Sequence, residues 1–93
     1  SFRDRTTEDI YNGDDTKAAR KVPTAIWRVA FRKLDMVNSA HELKDLLSPP
    51  ANRLEALKGS LRGFHSIRIN QKFRIVFRWQ EGNAHDVHIT DYH

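Results

Sequence analysis

The stretch GFHSIRINQKFRIVFRW, Gly63–Trp79, decides the fold. Apolar and polar residues alternate on both sides of Asn70-Gln71-Lys72. On the first arm Ile67 and Ile69 share one face, and Ser66 and Arg68 the other. On the second arm Phe73, Ile75, Phe77 and Trp79 lie together, with Arg74, Val76 and Arg78 opposite. A period of two is the mark of a half-buried strand. Two such runs joined by a short polar turn predict an antiparallel hairpin.

Downstream, QEGNA reads as a second turn, and HDVHITDYH as a third strand. Val87 and Ile89 join the core face there, with His88, Thr90 and Tyr92 opposite. Upstream, NRLEALKG predicts a further strand around Leu54–Leu57. Before that the period changes. Ile26, Trp27, Ala30, Phe31, Leu34 and Val37 recur at spacings of three and four, giving a helix from Pro23 to about Asn38–Ser39 with one apolar face. A second short helix, AHELKDLL, uses Leu43, Leu46 and Leu47 and stops at Ser48-Pro49-Pro50. In DRTTEDIYNG, Asp4 or Thr6 caps a short first helix and Gly13 ends it. DDTKAARKV has no apolar stripe and reads as a loop or mobile segment.

Helices that precede an antiparallel meander must cover its apolar face. The expected architecture is a single α+β two-layer domain over residues 1–93. The other face carries Arg68, Arg74, Arg78, His88 and Tyr92, and is not needed for the core. Trp27 and Trp79 fall on the apolar faces and read as core.

Composition narrows the function classes. Of 93 residues, 39% are hydrophobic and 30% charged, which suits a globular domain and argues against a disordered chain. The absence of Cys removes disulfides and thiolate catalysis. No apolar run spans a membrane and no leader pattern is present, so the cytoplasm is the expected location. With no Met at position 1, there is room for a short piece ahead of Ser1. The net charge of +4 attracts phosphate polymers and acidic proteins alike.

Arg68 and Arg74 flank the hairpin turn on one face, and their guanidinium groups repel unless an anion sits between them. A phosphate fits, because arginine forks onto its oxygens. The plainer reading is a solvated face with carboxylate partners such as Glu55 or Asp91. Asp91, Tyr92 and His93 gather proton-handling groups at one place. There the plainer reading is that Tyr92 finishes the core and His93 has no role. His85 and His88 are three apart, which sends them to opposite faces unless the strand bulges. With no Cys and no HExxH, no metal site is expected, and no nucleotide-cofactor fingerprint is present.

NRLEALKG, GFHSIRINQKFRIVFRW and the final ITDYH together resemble the HigB branch of the RelE toxin superfamily, and its GraT-like members in particular. The resemblance covers nearly the whole chain. It implies a RelE-like (microbial-RNase-like) fold and no cofactor. It implies a ribosome-dependent endoribonuclease that cuts mRNA in the A site, beside 16S rRNA. It also implies neutralisation by a helix-turn-helix HigA-type antitoxin, with operator DNA bound only through the antitoxin complex. By the same resemblance Arg74 takes the scissile phosphate, His93 is the terminal catalytic histidine with Tyr92 and Asp91 beside it, and Lys58 lies near the mRNA backbone. Glu55 departs from the pattern, since some HigB toxins carry histidine there. As a carboxylate it serves as a base or orients Arg74. Arg53 and Arg68 enter as phosphate contacts from the face argument. Two other readings compete with the nuclease. One is a basic module that blocks the ribosome sterically. The other is a structural partner of an acidic protein.

Overall fold

The computed structural model describes residues 1–91; the expected roles of Tyr92 and His93 lie outside the described residues. Two α-helices, α1 (Arg5–Asn12) and α2 (Trp27–Ser39), precede four strands. These are β1 (Glu55–Ala56), β2 (Phe64–Arg68), β3 (Phe73–Gln80) and β4 (Asn83–Asp91). They form one antiparallel sheet in the order β1-β2-β3-β4. This is the expected α+β arrangement, with helices on one face of the sheet.

Local chemistry sets the boundaries. The Asp4 carboxylate accepts from the Thr7 amide at 2.9 Å and starts α1. Gly13, in the left-handed region at φ 77°, ends it by returning its amide to Asp9 and Ile10. The Asn70 side chain accepts from the amides of Lys72 (2.8 Å) and Phe73 (2.7 Å). That local bond closes the β2–β3 turn.

The inner face of the sheet packs Ile67, Ile75, Phe77, Val87 and Ile89 against Ile10, Ala30, Leu34 and Val37. α1 is fastened to β4 by the Thr7 hydroxyl, which accepts from the Ile89 amide at 2.9 Å.

Several expectations need correction. Residues 14–22 are not a loose loop. A 3₁₀ turn at Ala19–Lys21 places Ala19 and Val22 in the core, and Thr16 ties the segment to Asp9 at 2.7 Å. Two isolated apolar residues are too few to show a period. The α2 region begins with a 3₁₀ turn, Thr24–Ile26, before the α-helix proper. Phe31 is 43% exposed instead of facing the core. The second short helix is 3₁₀, Leu43–Leu47, and buries Leu46 while Leu47 is exposed. The N-terminus also contributes. Phe2 bridges Val87 in parallel, with Arg3 and Ser1 bonded to the Val87 backbone at 2.9 and 2.8 Å.

The largest correction concerns the outer face, expected to take no part in the core. Ser66, Arg74 and Val76 on that face are buried, so Phe73–Phe77 is buried on both sides. β1 pairs alongside β2, and the 3₁₀ turn Pro50–Asn52 folds against β2. Asn52, fully buried, anchors that turn. Its amide donates to the carbonyls of Leu46 (3.2 Å) and Ser48 (3.4 Å), and its oxygen accepts from Lys33 of α2.

Candidate active site

The outer face is ordered in rows across the strands. Arg68, Arg74 and Thr90 form one row, and Glu55, Ser66, Val76 and His88 the next. Directly paired residues stand on the same face with their Cβ atoms roughly 5 Å apart. The expected juxtaposition of Arg68 with Arg74 is therefore present.

Arg74 is held on three sides. Its Nε donates to the Ser66 hydroxyl at 2.9 Å, and its Nη2 to the Arg53 carbonyl at 2.9 Å. Glu55 Oε1 lies 4.0 Å from the same Nη2. The two closer partners are neutral acceptors. They fix the plane of the guanidinium. The Glu55 side chain is 48% exposed, so solvent weakens its pull on that charge.

The neighbouring groups divide into two sets. Arg53 has a left-handed backbone (φ 47°), which turns its carbonyl toward Arg74 while its side chain stays exposed. Arg68 is half-buried and its Nε donates to the Asn70 carbonyl at 3.2 Å. Glu55 and Lys58, both exposed, line a groove of about 310 Å³ with Ala56 and Leu57. These residues gather around one edge of the sheet beside Arg74.

Asp91 falls elsewhere. It pairs with Phe73, on the inner side of the sheet, and Thr90 takes the position opposite Arg74. Lys72 bridges Asp91 at 3.6 Å. Both line a larger cleft of about 510 Å³ with Asp4, Arg5 and Lys21. Arg74 does not line that cleft.

Two features escaped the sequence reading. Ser66 reads as an ordinary outward serine, and only the register shows it bonding Arg74. The other is a register shift between Val76 and Arg78, where Asp86 has φ 53°. This β-bulge lets His88 pair with Val76 and His85 with Arg78. The two histidines therefore share the outer face, contrary to the alternation expected of a regular strand. Among the described residues no third ligand joins them in a metal-binding group.

Comparison with known proteins bears on the family and the fold. A family model described as the RelE-like toxin of type II toxin–antitoxin system HigB matches residues 1–93. The chain is 41% identical over 83 residues to Toxin HigB-1 of Vibrio cholerae, covering 89% of this chain and 85% of that protein. It is 33% identical over 88 residues to an uncharacterised Haemophilus influenzae protein, covering 95% and 85%. Among solved structures, the YoeB–YefM complex from Staphylococcus aureus aligns with a TM-score of 0.56 at 17% identity, over 97% of this chain and 91% of that one. That likeness is one of fold.

Proposed function

The chain belongs to the HigB-like family of RelE-like toxins of type II toxin–antitoxin systems, and we propose that it cuts mRNA in the ribosomal A site. Membership makes it a toxin endoribonuclease with a cognate antitoxin. Dependence on the ribosome, contact with 16S rRNA and a helix-turn-helix antitoxin that carries the complex to operator DNA belong to the proposal, as does action in the cytoplasm.

One observation carries the reading: Arg74 is buried and oriented by the Ser66 hydroxyl and the Arg53 carbonyl, paired with Arg68 across the strands and 4.0 Å from Glu55. RNA supplies its own nucleophile, the ribose 2′-OH. The protein must align that oxygen, stabilise charge on the phosphoryl oxygens and protonate the leaving 5′-oxygen. Arg74 serves the phosphoryl oxygens. Lys58, Arg53 and Arg68 hold the backbone on either side. Glu55 accepts the 2′ proton as the O2′–P bond forms. His93 protonates the 5′-oxygen as the P–O5′ bond breaks, and Tyr92 supports the terminal site. These steps use side chains alone and need no metal ion. The placement of Asp91 with Lys72 favours Glu55 as base.

The test is cleavage of mRNA on translating ribosomes, read by primer extension. Arg74→Ala should slow cutting about 10²–10³-fold. His93→Gln should slow it about 10²–10⁴-fold with folding intact. Undiminished cutting by either variant removes that residue from the mechanism. Arrested translation with intact mRNA would instead mark a steric blocker.

A further inference from the structure

We propose that Phe64, Arg78 and His85 form a stacking platform for an unpaired RNA base next to the nucleotides being cut. The proposal rests on Arg74 as the phosphate site and adds a second subsite to it.

The three residues form a single row across β2, β3 and β4, because Phe64 pairs with Arg78 and Arg78 with His85. Phe64 is half-buried and takes no part in the hydrophobic core cluster. Its parity in β2 puts it on the outer face with Ser66 and Arg68. His85 reaches this face through the bulge at Asp86. The row thus sets an aromatic ring, a guanidinium and an imidazole side by side.

The state of Arg78 indicates what the row receives. Asp86 Oδ2 accepts from Arg78 Nε at 3.3 Å and faces Nη2 at 3.1 Å, and Gln80 Oε1 accepts from Nη1 at 2.7 Å. All three nitrogens are occupied, and the charge is paired with a carboxylate. A guanidinium that is paired and clamped is a poor phosphate ligand but offers a fixed flat face. Guanidinium planes and aromatic rings are the surfaces on which unpaired bases stack.

Position selects the occupant. Arg78 is four residues along β3 from Arg74 on the same face, about 13 Å at the usual strand rise. A strand of RNA with its scissile phosphate at Arg74 can lay a neighbouring base over the platform. The bulge residue organises the row, because its carboxylate clamps Arg78 and its carbonyl meets His88 Nδ1 at 2.9 Å.

Single-turnover cleavage of ribosome-bound mRNA, followed against toxin concentration, tests this. Losing a stacked base costs about 1–3 kcal/mol, so Phe64→Ala should raise the half-saturating concentration about 5- to 150-fold. The rate at saturation should hold, and Phe64→Trp should restore parental behaviour. The salt dependence of half-saturation should be unchanged in Phe64→Ala but flattened in Lys58→Ala, which loses a phosphate contact. Should Phe64→Ala melt early, His85→Ala and His85→Phe provide the same loss and rescue. Unchanged half-saturation, or a loss that Trp or Phe does not rescue, overturns the platform. So does weaker antitoxin binding with half-saturation intact, which would assign the row to a protein partner. If Arg74→Ala is inactive while Phe64→Ala behaves as parent, only the platform fails. If Arg74→Ala cuts normally, the reading of the cut site fails and takes the platform with it.

Discussion

The two faces of β3 exclude water almost equally well, and for opposite reasons. On the inner face Phe73, Ile75 and Phe77 are buried by apolar packing against the helices. On the outer face Arg74 is as buried as Phe73, at 8% exposure each, but polar acceptors surround it. Burial alone therefore does not separate core from site in this sheet. The partners do. Apolar neighbours supply stability without direction, whereas the Ser66 hydroxyl and the Arg53 carbonyl fix a charge in one orientation.

The comparison is sharpest where the same kind of truncation is made on each side. Phe77→Ala empties the centre of the inner face, where Phe77 is fully buried. It should cost about 3–5 kcal/mol of stability, measured by urea unfolding. Whatever fraction remains folded should cut RNA normally. Arg74→Ala should reverse the pattern, with its main loss in the rate of cutting. If Phe77→Ala lowers the rate per folded molecule as much as Arg74→Ala does, the two faces are not separable in function.

A smaller effect is expected where the faces are coupled. Asn52 ends the turn that precedes Arg53, whose carbonyl receives Arg74, and ties that turn to Lys33 of α2. Asn52→Ala strips partners from the carbonyls of Leu46 and Ser48 and should cost about 1–3 kcal/mol in thermal unfolding. It should also lower the cleavage rate at saturation, because the Arg53 carbonyl is no longer held under Arg74, while half-saturation stays near parental. A stability loss with an unchanged rate would show that Asn52 serves the fold alone.

The hairpin was legible because strand alternation is a local signal. Ile67, Ile69, Phe73, Ile75 and Phe77 announce both the inner face and the register that puts Arg68 opposite Arg74. The family motif named Arg74, Glu55 and Lys58; Glu55 lies 4.0 Å from Arg74 and shares a groove with Lys58. Illegible features were those made by distant partners or by an irregular backbone. Ser66 and the Arg53 carbonyl matter only once β1 and the turn before it fold beside β2. Nothing in HDVH announces a bulge, so His85 reads onto the wrong face. Asp91 sits beside Tyr92 and His93 in sequence, but its strand parity sends it to the Lys72 side.

His65 is a polar exception on the inner face, and it gives the smallest prediction. His65 pairs with Phe77 in register, and its ring stacks on that phenyl with centroids 6.1 Å apart. Its Nδ1 is buried with no hydrogen-bond partner among the described residues. Burial disfavours the imidazolium and lowers the pKa below its ordinary value of 6.5. The unfolded chain therefore takes up this proton at a higher pH than the folded protein does. Stability from this group is fully present above about pH 6.5 and falls as the pH drops below it, until the folded form also protonates. Unfolding free energies measured between pH 7.5 and 5 should decline more steeply in the parent than in His65→Phe, which keeps the ring stack and removes the titration. Equal slopes would mean that the imidazolium is tolerated on this face, and that the inner face is less strictly apolar than its neighbours Ile67 and Phe77 make it.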